Sequence, residues 1–103
     1  MDQKKYEMIV SIVNAGFSGE VMKVAHELGV KGGTILHARG TASKQAESMF
    51  KITITPEKDM LFIVVERELT EAVLKALYEN VGINTEANGI AFVLPVTNHV
   101  GLK

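Results

Sequence analysis

Apolar and polar positions alternate along this chain in two distinct periods. From Tyr6 to Val13 the period is two: Met8, Val10 and Ile12 face one way, Ile9 and Val13 the other, which predicts a first strand. Asn14-Ala15-Gly16-Phe17 reads as a turn, with Ser18 as the N-cap of a helix and Glu20 well placed in its first turn. Val21, Val24, Ala25 and Leu28 follow the i, i+3, i+4, i+7 spacing of one buried stripe, and Gly29 stops it. Val30 to Arg39 leads into a second strand. After a small polar loop, Phe50 to Ile54 alternates as a half-exposed strand, and Pro56-Glu57-Lys58-Asp59 breaks it. Met60 to Glu66 is apolar on both faces. Thr70 is the expected cap of a second helix, whose buried face is Val73, Leu74, Leu77 and Val81 and which ends at Gly82. Ile83 to Gly89 is a polar loop, and Ile90 to Val96 is a last strand, again apolar on both faces.

The order is β-α-β, loop, β-α-β. Two right-handed crossovers place both helices on one face of a single antiparallel sheet, a ferredoxin-like α+β fold. The helices cover one face only, yet the strands at Met60–Glu66 and Ile90–Val96 are apolar on two. A strand apolar on both faces is covered on both. The chain has nothing left for the second face, and copies of itself in a closed ring are the least costly cover.

Composition narrows the function classes. The 103 residues predict one domain over 1–103. Eleven basic against twelve acidic residues give a net charge of -1, which supplies no general attraction to nucleic acid or to anionic membranes. No segment approaches the roughly 20 apolar residues of a membrane span, and the first residues lack a signal-peptide core. The absence of cysteine excludes disulfides, thiolate metal sites and thiol nucleophiles. These features predict a cytoplasmic protein that neither inserts in membranes nor binds nucleic acid. No nucleophile stands beside a base and no carboxylate pair is fixed by spacing, so an enzyme is not expected.

The chemistry-bearing stretch is Gly32 to Thr41. It begins as a β-branched strand and runs into a loop, Gly40 to Ser48, with no large apolar residue. An apolar strand feeding such a loop presents an arm from a rigid base. Arg39 stands at the junction as a candidate grip on phosphate or carboxylate, and Gly40 lets a ligand approach the backbone. Arg39 is read as the only cation at the strand end, with Lys44 further out on the arm. Asn88-Gly89 is first a turn signal and second a loop that brings backbone donors to an anion. His37 is a lone histidine, read as a polar strand residue, and no metal site is predicted.

Gly32-Gly33-Thr34-Ile35-Leu36-His37-Ala38-Arg39-Gly40-Thr41 together with Gly89-Ile90-Ala91-Phe92-Val93-Leu94-Pro95-Val96 resembles the PII signalling family, and in particular its shorter PII-like branch, over nearly the whole chain. The resemblance implies a ferredoxin-like homotrimer of regulatory, nitrogen-related function. It implies adenine-nucleotide clefts between subunits and a loop, the T-loop, that docks on a regulated protein. Matched by motif, Thr34 lies near the adenine, Gly40 and Thr41 form the base of the T-loop, and Asn88 and Gly89 wrap the phosphates. Ala42, Ser43, Lys44, Gln45 and Glu47 are then the partner-binding arm.

The departures set the expected effector. Ile90 replaces the family's phosphate-contacting lysine, the tail Asn98 to Lys103 lacks the paired arginines, and the loop holds no tyrosine to be uridylylated. AMP or ADP is therefore expected in preference to ATP, bound by Thr34, Arg39, Gly40, Thr41, Asn88 and Gly89. The regulated protein is left open between a membrane transporter and a metabolic enzyme. The alternatives are a trimer acting by protein contact alone, or one binding another small anion such as bicarbonate, or a metal ion.

Overall fold

A computed structural model describes residues 4–41 and 56–102. The strand predicted at 50–54 and the arm residues 42–48 lie outside this range. The elements are β1 (Tyr6–Asn14), α1 (Ser18–Glu27), β2 (Thr34–Arg39), β3 (Glu57–Glu66), α2 (Thr70–Val81) and β4 (Ile90–Val96), with a single 3-10 turn, Arg67–Leu69, leading into α2. All neighbouring strands are antiparallel, in the order β2-β3-β1-β4. This is the ferredoxin-like βαββαβ arrangement that the element order predicts.

The register sorts the side chains onto two faces. Toward the helices, Ile9, Val13, Leu61, Ile63 and Val65 pack with Val21, Val24 and Ala25 of α1 and Val73, Leu77 and Val81 of α2. Leu28 and Leu74, both assigned to helix stripes, are only partly buried at the margin of this core. On the other face, cross-strand rows run Leu36–Met60–Ile12–Ile90, Thr34–Phe62–Val10–Phe92 and Val64–Met8–Leu94. Leu36, Ile90, Phe92 and Leu94 are each more than two-fifths exposed there. The predicted two-sided pattern of β3 and β4 is real, and the chain covers one side.

Three local expectations are corrected. Pro56 does not end a strand for four residues: β3 begins directly after it, at Glu57, because proline is well tolerated just before a strand whose ladder does not need its missing N–H. Ser18 and Thr70 are not caps. Both are already the first helical residues, after Phe17 and Leu69, and neither helix start has a side-chain capping bond. A cap needs non-helical backbone to aim its oxygen at the first free N–H groups. Thr70 instead has φ -54 and ψ -51, the 3-10 turn having started the winding early. Its hydroxyl oxygen is buried without a partner. No helix among the described residues is long and apolar enough to cross a membrane.

Candidate functional site at the loop end of the sheet

Four strand ends meet at one end of the sheet: β2 finishes at Arg39, β3 starts at Glu57, β1 finishes at Asn14 and β4 starts at Ile90. Gly40 follows β2 and donates its N–H to Pro56 O at 2.8 Å, closing the β2–β3 ladder. A side chain at Gly40 would press its Cβ to 3.2 Å from the Cε of Lys58. The lysine stem thus passes under the glycine, and its ammonium donates to Asn14 Oδ1 at 2.7 Å. Asn14 turns its other groups the opposite way, giving its backbone N–H to Ala87 O and its side-chain amide N–H to Glu86 O, both at 2.9 Å. A continuous polar chain therefore runs from the root of the 40–48 loop, through Lys58 and Asn14, to the 83–89 loop.

The expected site residues divide between positions. Arg39 is exposed at the last ladder position, opposite Glu57, and Thr41 is exposed beyond it. Arg39, His37, Ala15, Glu57 and Lys58 line a shallow cavity of about 280 Å³. Thr34 is at the far end of β2, opposite Phe62 on the open face. By the alternation of the strand, Thr34, Ala38 and Lys58 belong to the open face, and His37 and Arg39 to the helix side. A larger cavity of about 410 Å³ opens at the Thr34 end, bounded by Lys31, Gly32, Val64 and Leu102.

Asn88 and Gly89 lie in the loop before β4. Asn88 takes the left-handed conformation, φ 46, which asparagine tolerates well among non-glycine residues. Gly89 is buried, gives its N–H to Val81 O at 2.8 Å, and pairs with Gly82. Any Cβ there would collide with Val81 O and lie 2.8 Å from the Val13 methyl, so packing alone demands glycine. The Gly40, Asn88 and Gly89 N–H groups are all engaged within the chain. The expectation that these loops offer backbone donors to an anion is therefore replaced by one that side chains must grip it.

Lys58 also corrects the reading of Arg39 as the only cation at the strand end. Lys58 and Asn14 were hidden by their assignment to a break and a turn. The signal was present in the alternation, since Lys58 continues the Met60, Phe62, Val64 series by one step.

A second polar arrangement sits on the helix side. Asp59, 3% exposed, accepts the Gly16 N–H at 3.1 Å through Oδ2 and meets His37 Nδ1 at 2.9 Å through Oδ1. The Gly16 N–H first, and the His37 bond second, hold its carboxyl below the usual carboxylate range against the opposing effect of burial. Among the described residues no group of three or more metal-ligating side chains converges.

The similarities of the chain agree with this geometry. The fold resembles that in the crystal structure of Arabidopsis thaliana PII bound to citrate, with a TM-score of 0.65 and 23% sequence identity over 92% of this chain and 80% of that one. No curated protein matches the chain. The model of the nitrogen regulatory protein P-II family matches residues 6–103, both crossover units and the site between them, and the chain belongs to that family of signalling proteins.

Proposed function

We propose that this P-II family chain is a homotrimeric regulator that binds a small anionic effector between subunits. Arg39, Gly40, Thr41 and Lys58 of one subunit face Asn88 and Gly89 of its neighbour, and the 40–48 loop engages the regulated protein. The observation that carries this reading is the position of the two half-sites. They share one end of the sheet but lie on its opposite edge strands, β2 and β4. Three strand spacings of about 4.8 Å put them roughly 14 Å apart. One chain cannot close both on a small molecule, whereas adjacent copies in a ring bring one edge to the other.

The chemistry favours few negative charges. Arg39 and Lys58 are two cations for one ligand, Ile90 adds none, and the nearby backbone N–H groups are in use. The citrate bound by Arabidopsis PII is a small polyanion of the class two such cations suit. An adenine nucleotide fits through its length. Thr34 and Arg39 are five residues apart on an extended strand, about 17 Å, so one ligand touching both ends of β2 is elongated, with its base toward Thr34 and its charge toward Arg39 and Lys58. AMP or ADP meets that description with fewer charges to neutralise than ATP.

Calorimetric titration of ATP, ADP, AMP, cyclic AMP, citrate, 2-oxoglutarate and bicarbonate into the purified protein tests the reading. AMP or ADP should bind at least as tightly as ATP. Binding of none of these anions would overturn the effector site and leave a trimer that acts by protein contact alone.

A further inference from the structure

His37 has a geometry that effector binding does not use. Its side chain is 90% exposed, yet it is fixed to a carboxylate whose own side chain is 5% exposed. An ionised Asp59 can only accept, so the hydrogen between them belongs to Nδ1, and Nε2 faces solvent. Asp59 also bonds Gly16 at the entrance to α1. The pair thus ties β2, an edge strand exposed along most of its length, to β3 and to the turn behind it. Three residues after His37, Gly40 makes the last backbone bond before the 40–48 loop leaves the sheet.

We propose that His37 is a proton-operated fastener of the loop root: taking a proton at Nε2 turns its neutral bond to Asp59 into an ion pair and clamps the end of β2 onto β3. The charged groups around the imidazole are few. From β3 come Asp59 and Glu57, with Lys58 directed to the opposite face. From β2 comes Arg39, paired in register with Glu57. From the β1–α1 turn come the Gly16 N–H and the Ser18 hydroxyl, both directed at Asp59. Arg39 disfavours the imidazolium and Glu57 favours it, so the near and buried carboxylate of Asp59 decides the balance. Asp59 stays ionised throughout the neutral range, its carboxyl being held low. Fastening is therefore strongest where the imidazole is charged and is lost as pH rises through the histidine transition. A charge-assisted bond is roughly twice as strong as a neutral one, but solvent around His37 screens part of the difference. The gain is a few-fold in the closing equilibrium of the β2 end. Through it, proton concentration biases the part of the molecule from which the loop departs.

The test is amide hydrogen exchange by NMR on the intact protein without effector, so its outcome is independent of whether any anion binds. The readout is the protection factor of the Gly40 amide, corrected for intrinsic exchange, between about pH 5.5 and about pH 8.5. In the wild type it should fall by about threefold as pH rises. In His37→Gln, which can donate a neutral bond to Asp59 but cannot take a charge, it should stay at the wild-type alkaline value at every pH. Core amides such as Ile63 should show no pH-dependent difference between the two proteins. A flat Gly40 profile in the wild type, or an equal fall in His37→Gln, would overturn the proposal.

Discussion

The two faces of the sheet are made from alternate residues of the same strands and are similarly apolar, yet they have different fates. On the helix side, Ile9, Leu61 and Ile63 are fully buried. On the other side, Phe92 and Leu94 are 45% and 43% exposed although they flank the buried Val10 and the half-buried Met8. What separates the faces is the cover and not the side chains. Two amphipathic helices suffice for one face of four strands, and the chain carries no third. An apolar face of this extent exceeds what a monomer commonly leaves in water. One face accordingly holds the fold of the chain, and the other holds an assembly of chains. The half-sites on opposite edges of the sheet are joined by that same assembly.

Substitutions on the two faces should therefore fail in different ways. Phe92→Asp places a charge on the open face, where burial in a subunit interface costs several kcal/mol per subunit. It should yield monomer or aggregate while circular dichroism still reports helices and strands. Ile63→Ala removes a fully buried side chain on the covered face and should cost about 2–5 kcal/mol. Chemical denaturation should show that loss at every protein concentration. If Phe92→Asp stayed assembled, or if the Ile63→Ala penalty vanished on dilution, the division of labour between the faces would be wrong.

A smaller effect is expected at Asp59. Replacing it by Asn removes a buried acceptor of two bonds and should cost about 1–3 kcal/mol at neutral pH. The pH dependence has a definite sign. The folded carboxyl is held below its ordinary value, so its stabilisation is complete above about pH 3.9, the unfolded value, and is lost as pH falls through the lower folded one. The wild type should thus lose its advantage over Asp59→Asn on acidification below about pH 4, as read by urea midpoints across that range.

The least disruptive changes are at the strand end. Arg39→Ala and Lys58→Ala should each weaken effector binding about ten- to a hundredfold, as expected for a lost charge-assisted bond. Neither should alter the assembled mass. Tight ATP binding that survived both changes would mean that other groups hold the phosphates.

How far the sequence discloses this molecule depends on how far apart the cooperating residues lie. The strands of the two faces are legible because alternation is local, and both β3 and β4 show apolar residues in both phases. The helix stripes are legible for the same reason. Helix starts are not, because Thr70 has the residue type of a cap but a 3-10 turn decides where the winding begins. Lys58 and Asn14 escape because Pro56 and Gly16 look like breaks, although the strands run up to both. His37 reads as an ordinary polar strand residue because its meaning lies 22 positions away, in Asp59. That pairing is fixed by the β2–β3 register, which no local pattern specifies. The glycines mislead in the other direction: Gly89 looks like a ligand loop, and the tight packing against Val13 and Val81 already requires it.

The central claim is that the open face is covered by two further copies of the chain. Sedimentation equilibrium of the wild-type protein tests it most directly. The account predicts a single species of three times the 11.2 kDa chain mass, persisting on dilution. A monodisperse monomer with the open face in water would contradict it.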